Sequence, residues 1–344
     1  QQGQAAGYRK ENYYDDEGRR VHEEHPRSTV TWKQKGIRHD QKNNRVRLSK
    51  SANHKDHRRA REYILVEYET RPEVTVENLQ QVRAVYDSAK ERWELHLVCT
   101  EGIETPTAPG SETAGIDLGV SNFAAVTYSI KDADLYSGNR LKQDGYYFAK
   151  EIAKCDDSGG ERATRLHEKW SERRTHFFHS LAKHIVQRCV EKGVGRINVG
   201  DLDGVREDKN GAAKNWGRHG NLDLHGWAFD RFTRILEYKT KVEGIEINAV
   251  SERDTSKTCS VCGREDDSQR VERGLYVCEA CDAAFNADLN VAENIRHNIS
   301  GKEGNSESPG IEDRSTGWLA QPAVHVYDLS CGFQPQTEVV DCKP

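Results

Sequence analysis

The sequence predicts an α/β domain carrying an inserted four-cysteine zinc module, preceded by a smaller β-rich domain. Three observations predict it. Strand-like and helix-like runs alternate between residues 114 and 299, the pattern of a layered α/β domain. Cys259, Cys262, Cys278 and Cys281 read C-x2-C-x15-C-x2-C, a zinc-site spacing. Residues 28–100 hold short runs of β-branched and aromatic residues separated by polar, turn-like stretches. A length of 344 residues suits about two domains. With 31% charged and 35% hydrophobic residues the chain is polar, but its apolar residues cluster enough to build cores.

Charge is unevenly distributed. Residues 1–62 hold 16 Lys and Arg against 9 Asp and Glu, whereas the rest of the chain holds 35 against 47. A basic segment on an acidic body reads either as a polyanion-facing arm or as a solvated one. Excess carboxylates also suit a salt-rich cytoplasm. No apolar run approaches the ~18 residues of a membrane span. The first twenty residues have no apolar stretch of a secretory signal, so a cytoplasmic protein with no membrane partner is expected. The chain starts at Gln1 and contains no Met, which predicts further sequence upstream.

Taken in order, residues 1–27 read as a basic, polar arm. Residues 28–100 contain the strand-like runs STVTW, NRVRLS, EYILVEYE, VRAVY and RWELHLVC. In the last of these, Trp93, Leu95 and Leu97 alternate with Glu94 and His96, as in a half-buried strand. Five such strands predict a small barrel or sandwich. Residues 101–113 are rich in Pro, Gly, Ser and Thr and read as a linker. AGIDLGVSNFAAVTYSI then gives two strands around a Ser121-Asn122 turn. Across residues 160–192, Leu166, Trp170, Phe177, Leu181, Ile185 and Cys189 recur at helical spacing. GRINVGDL reads as a strand ending in an acid. Residues 225–243 read as a helix with Trp227, Phe232, Ile235 and Leu236 on its apolar side. GIEINAV follows as a strand, then the cysteine module at 255–284, then a helix in NADLNVAENIRHNI. Residues 300–344 read as a flexible tail, within which WLAQPAVHVYDL has the character of one strand.

Four thiolates suit a tetrahedral Zn²⁺, each C-x2-C pair forming one knuckle. Gly263 allows the tight turn after Cys262, and Leu275, Tyr276 and Val277 form a strand into the second knuckle. Disulfide or redox chemistry is the competing reading of the same cysteines. Among the acids, Asp117 interrupts an apolar strand, where a charge is costly unless it is paired or holds a metal. Hydrogen bonds from turn amides would also explain it. Asp288 opens a helix, a position the helix dipole itself favours for an acid. Asp201 ends the GRINVGDL strand. One acid on a first strand, one at a later strand end and one on a late helix is the arrangement of ribonuclease-H-like nucleases. There, carboxylates hold two Mg²⁺ ions about 4 Å apart. His176, His179 and His184 read as polar helix residues facing solvent or nucleic acid. Arg45, Arg47, Lys50, Arg58 and Arg59 read as phosphate contacts or as a solvated face. Trp216 is a candidate for base stacking. Phosphate-binding loops, nucleophile elbows and dinucleotide fingerprints are absent from the sequence.

The stretches GIDLGVSNFAAV, HFFHSLAKHIV, VGDLDGVRED, LDLHGWAFDRF, RDTSKTCSVCG, GLYVC and FNADLNVAENI resemble, in order over residues 114–299, the TnpB/OrfB family. These are insertion-sequence proteins related to type V CRISPR effectors, and the resemblance is to their haloarchaeal form. It implies a RuvC-like nuclease domain with a zinc ribbon before its last helix, preceded by part of a wedge-like β-barrel. It further implies nucleoid-associated, RNA-guided, Mg²⁺-dependent DNA cleavage with a transposon-derived guide RNA, and the mobile element's transposase as a further partner. Asp117 matches the first catalytic aspartate, Asp288 the last, and Cys259, Cys262, Cys278 and Cys281 the zinc ligands. The middle acid departs from the pattern. The family reads Glu-Asp-Leu where this chain reads Gly200-Asp201-Leu202, so Gly200 stands at the catalytic Glu position. Asp201 becomes the candidate third acid, provided the strand end bends, because a one-residue shift in a regular strand faces the opposite side. The alternative is a nuclease-inactive regulator that binds RNA and DNA.

Overall fold

The computed structural model describes residues 13–14, 20–21, 29–50, 63–70, 74–87, 92–100, 102, 104–157, 160–201, 229–272, 274–298 and 317–336. The chain forms two compact units, residues 1–104 and 105–344. Arg58, Arg59, Trp216 and Trp227 lie outside the described residues.

In the first unit, β1 (Tyr13–Tyr14) and β2 (Arg20–Val21) form a short antiparallel pair. Six further strands follow: β3 (Val30–Lys33), β4 (Ile37–Asp40), β5 (Arg45–Ser49), β6 (Tyr63–Glu67), β7 (Leu79–Asp87) and β8 (Arg92–Cys99). They make two antiparallel sheets, β3-β7-β8 and β4-β5-β6. Period-two alternation sets the core, since Val46 and Leu48 of β5 are buried while Arg45, Arg47 and Ser49 are exposed. Val46, Leu48 and Val82 pack with Trp32, Val66 and Leu95 from both sheets. Trp32 Nε1 also donates to the Ser49 carbonyl at 2.8 Å, linking one sheet to the other. Arg45 pairs with Glu67 at 3.0 Å, and the Arg47 guanidinium lies 5.0 Å over the Tyr63 ring. The sequence predicts five strands here. The sixth, β4, has a single apolar residue, Ile37, and so lacks a hydrophobic pattern of its own.

In the second unit the elements are β9 (Glu112–Leu118), β10 (Asn122–Tyr128), β11 (Asp132–Ser137), α1 (Asn139–Ile152), α2 (Glu161–Glu191), β12 (Val194–Asp201), α3 (Phe229–Val242) and β13 (Glu246–Ser251). After them come β14 (Arg270–Glu272), β15 (Leu275–Cys278), β16 (Ala283–Asn286), α4 (Ala287–His297), β17 (Ala323–Asp328) and β18 (Gly332–Pro335). One seven-stranded sheet runs β13-β12-β9-β10-β11-β17-β18. Strands β9 to β11 form an antiparallel meander, and β12 and β13 add in parallel on the β9 side. This layered α/β arrangement is the one that the alternation of strand-like and helix-like runs predicts.

Strand β17 joins the other edge parallel to β11, and β18 pairs antiparallel with β17. Residues 323–335 therefore extend the sheet, which corrects the expectation that 300–344 is wholly a flexible tail. Buried His325 explains why the local pattern is weak. It stacks on Tyr136 at 4.9 Å and hydrogen-bonds Asp134 at 2.9 Å, so its polarity is compensated from β11.

Helices cover both faces of the sheet. On one face, α2 and α3 pack around Phe123, whose ring has Phe177, Phe178, Phe229 and Phe232 within 5.2–5.5 Å. On the other face lie α4 and the cysteine module, packed through Ala125, Leu135, Leu289 and Ala292. Helix α4 approaches the sheet closely because Gly115 has no side chain. A Cβ there would sit 2.1 Å from the Ala292 carbonyl oxygen. The Asn198 side-chain amide of β12 caps the end of α4, donating to the carbonyls of Ile295 at 3.3 Å and Arg296 at 2.8 Å.

Candidate active site

The sheet register places Asp117 next to Gly200. Strands β9 and β12 run parallel with Ile116 opposite Val199, so the next residue of each strand faces the α4 side. Asp117 is partly buried there and accepts no hydrogen bond among the described residues, which removes the turn-amide explanation for it. Helix α4 brings Asp288 to the same face. Its N-cap is Asn286, whose side chain accepts from the amides of Asp288 at 2.9 Å and Leu289 at 3.2 Å. Asp288 is 8% exposed. Its Oδ2 accepts from Asn122 Nδ2 at 2.9 Å, and its Oδ1 lies 3.3 Å from Arg270 Nη2 of β14.

A third carboxylate, not anticipated from the sequence, stands beside them. Glu252 follows β13 directly, in phase with Val250, which pairs with Gly200. Its Oε1 is shielded from solvent and has no hydrogen-bond partner among the described residues. Burial pushes the Asp117 carboxyl well up, the charges of Glu252 and then Asp288 add to the rise, and Arg270 opposes it. Burial, followed by the charge of Asp201, pushes Glu252 up to about 7. The only sequence signal for Glu252 is its phase: it stands two residues beyond Val250, on the alternation of GIEINAV.

Asp201 is not brought to Asp117. The β12–β13 ladder continues unbroken through Gly200 opposite Val250 and Asp201 opposite Ser251, so side chains keep alternating. The bend that would aim Asp201 inward does not occur. Asp201 is exposed and lines a cleft of about 260 Å³ with Phe229, Thr233 and Arg234 of α3, on the opposite side of the sheet.

All four sulfurs of Cys259, Cys262, Cys278 and Cys281 lie within 4.8 Å of one another. Cys259 Sγ is 3.8 Å from Cys281 Sγ, and Cys262 Sγ is 3.7 Å from Cys278 Sγ. A tetrahedron with metal–sulfur bonds of ~2.3 Å has edges of roughly 3.8 Å, so the sulfurs are spaced as metal ligands would be and not as disulfides. Gly263 has φ +74° and turns the chain after Cys262. The amides of Val261 and Cys262 point at the Cys259 sulfur, and that of Arg264 points at Cys262. Strands β14, β15 and β16 complete a three-stranded ribbon. Helix α4 grips this module with two asparagines one turn apart. Asn290 accepts from the Ser260 amide at 2.8 Å and donates to the Thr258 carbonyl at 2.9 Å. Asn294 donates to the carbonyls of Thr255 at 2.8 Å and Thr258 at 2.7 Å.

His176, His179 and His184 of α2 have protein partners. His184 Nδ1 meets the Tyr136 hydroxyl at 3.0 Å, and burial followed by nearby His325 pulls its pKa down to about 4. His179 meets the hydroxyl of Tyr238 at 3.0 Å, and His176 meets that of Tyr327.

Two family descriptions match the chain. Residues 84–206 match the OrfB family described as a probable transposase, and residues 229–295 match the Cas12f1-like TNB domain. Among curated proteins, the CRISPR-associated endodeoxyribonuclease Cas12f1 of Sulfoacidibacillus thermotolerans is 24% identical over 61% of this chain and 51% of its own length. A TnpB-like protein of Acidianus two-tailed virus is 25% identical over 62% of this chain and 52% of its own. A TnpB-like protein of Methanocaldococcus jannaschii is 27% identical over 52% of this chain and 66% of its own. The chain thus spans about half the length of the first two relatives. Between them the two family matches take in α3, Asp117, Asp288, Glu252 and all four cysteines. Over residues 84–206 and 229–295 the chain is thus similar to OrfB-type probable transposases and to the Cas12f1-like TNB domain.

Proposed function

We propose that this chain carries the nuclease site of an RNA-guided DNA endonuclease, which hydrolyses phosphodiester bonds with Mg²⁺. The observation that carries this reading is the electrostatic state of Asp117. Burial raises it first, two neighbouring carboxylates add to the rise, and Arg270 opposes them. Like charges gathered in a partly buried site are unfavourable unless a cation joins them. The donors are all oxygens, as a hard divalent ion requires, and the orphaned Glu252 oxygen leaves a coordination position to fill. Bound Mg²⁺ supplies Lewis acidity towards a phosphoryl oxygen and makes a water molecule acidic enough to attack.

The chain's own residues hold and orient that centre. Asp117 and Asp288 are the ligands. Asn122 and Asn286 fix the Asp288 carboxylate and the helix turn behind it. Arg270, 3.3 Å from the Asp288 carboxylate, balances charge. We assign Zn²⁺ to the four-cysteine module, which braces α4 and hence Asp288. The two small sheets of the first unit correspond in this reading to part of a wedge-like barrel that binds guide RNA.

The test is cleavage. Full-length protein purified with its co-transcribed RNA should cut matched DNA in Mg²⁺, and Asp117→Asn and Asp288→Asn should each abolish cutting while leaving the protein folded. A parent protein that binds RNA and matched DNA in Mg²⁺ without cutting either strand would instead establish the regulatory reading.

A further inference from the structure

Gly200 leaves β12 without the carboxylate that the family pattern places there, and the space it vacates is filled. A Cβ built on Gly200 would lie 1.9 Å from Glu252 Oε1, 2.7 Å from Cδ and 2.8 Å from Cγ. The Glu252 carboxyl group therefore occupies the volume that any side chain at position 200 would enter. We propose that Glu252 is the third metal-ligating carboxylate of the site, reaching from the end of β13 over Gly200 to stand where a side chain on β12 otherwise would. This inference rests on the metal-dependent nuclease reading given above.

Backbone geometry makes the substitution possible. Strands β12 and β13 are parallel neighbours with Gly200 opposite Val250, and hydrogen-bonded strands lie roughly 4.8 Å apart. Glu252 is two residues past Val250, so it shares that face, and its side chain is long enough to lean across one strand spacing. Glycine leaves the room beneath it, since even a methyl group would have to displace the carboxyl. The oxygen so placed is shielded and lacks a donor, a state that a bound cation would relieve. Its charge affects Asp117 more than that of Asp288 does, which puts it inside the same electrostatic cluster. Asp201, the other candidate, faces the α3 side.

The experiment uses the full chain with its zinc in place and Mn²⁺ as the probe. Bound Mn²⁺ is counted by electron paramagnetic resonance, with zinc content and circular dichroism measured alongside. The isosteric Glu252→Gln should weaken Mn²⁺ binding at least about tenfold with zinc content unchanged. Glu246→Gln, at the exposed start of the same strand beside Arg196, should bind like the parent. Gly200→Ala should displace the carboxylate and weaken binding as well. The double variant Gly200→Glu with Glu252→Gly, which returns the acid to β12, should recover affinity to within about threefold of the parent. Parent-like Mn²⁺ affinity in Glu252→Gln overturns the proposal. If Asp117→Asn loses Mn²⁺ while Glu252→Gln keeps it, only the Glu252 assignment fails. If the parent itself binds no Mn²⁺, the nuclease reading fails with it.

Discussion

Replacing Asp134 tests whether the C-terminal strands are fastened to the sheet by a buried charge. Asp134 is 0% exposed and accepts four hydrogen bonds. They come from Tyr128 Oη at 2.8 Å, Arg188 Nε at 3.1 Å, Arg188 Nη2 at 3.3 Å and His325 Nε2 at 2.9 Å. Burial alone would raise its pKa, but hydrogen bonds from His325 and Arg188 outweigh it and bring the carboxyl down to about 2 from 3.8. A shift of that size corresponds to about 2 kcal/mol. Asp134→Asn also turns an amide N–H₂ towards donors, and breaking one side of a buried ion pair costs about 3–5 kcal/mol. A loss of about 3 kcal/mol is therefore expected, which makes local opening roughly 100-fold more frequent.

Hydrogen–deuterium exchange of the β11 and β17 amides reads this directly, unit by unit. The pH dependence has a defined sign. A depressed carboxyl contributes stability in full above its unfolded value and loses it as pH falls through its folded value. The gap between parent and variant should therefore persist at pH 5 and close towards pH 2. His184, neutral in the fold with a pKa of about 4, adds a loss in both proteins as pH falls from 6.5 towards 4. Exchange in β11 within threefold of the parent at pH 7 would refute the reasoning.

Further outcomes follow from the site and its supports. Stripping the cysteine-bound metal with a strong chelator under reducing conditions should unfold residues 255–286, since such sites contribute on the order of 10 kcal/mol to folding. Limited proteolysis and metal analysis would show it. Asn294→Ala removes two hydrogen bonds to the carbonyls of Thr255 and Thr258. It should cost about 1–3 kcal/mol, seen as faster amide exchange in the cysteine module. Gly115→Ala places a methyl group 2.1 Å from the Ala292 carbonyl and 2.6 Å from Arg296 Cβ. It should cost about 1–3 kcal/mol and push α4 outward. Thermal melting would report the first effect, and weaker Mn²⁺ binding at Asp288 the second.

Much of the fold is legible where burial follows a local period. Helix α2 is predicted at 160–192 and found at Glu161–Glu191 because its apolar residues recur along one face. Strands β9, β10 and β12 are legible for the same kind of reason. Strand β11 is not, and β17 reads as a strand with nothing in it to say that it joins this sheet. The sequence DADLYS of β11 carries Asp134, and AVHVYD of β17 carries His325. Each polar residue is buried by virtue of the other and of Arg188, at separations of 191 and 54 residues from Asp134. A hydrophobic pattern contains no information about such a pairing, because the compensation lies on another element.

The site divides along the same line. Asp117, Asp288 and the four cysteines each sit in a contiguous run whose local structure aims them, so the sequence can single them out. The third acid is sought at Gly200 and Asp201 because a motif is read along one strand. A metal ion responds only to where oxygens lie in space, and neighbouring strands offer the same point from two backbones. Once Glu252 leans over β12 from the adjacent strand, a side chain at position 200 would have to displace its carboxyl group. The glycine that reads along the chain as a lost catalytic residue then reads across the sheet as the space the replacement requires. Asp201 cannot take the role, because unbroken pairing with β13 holds it on the α3 face. Gly200 thus argues against an inactive site only in company with Glu252, and the reciprocal exchange of the two residues is the variant that separates a relocated carboxylate from a missing one.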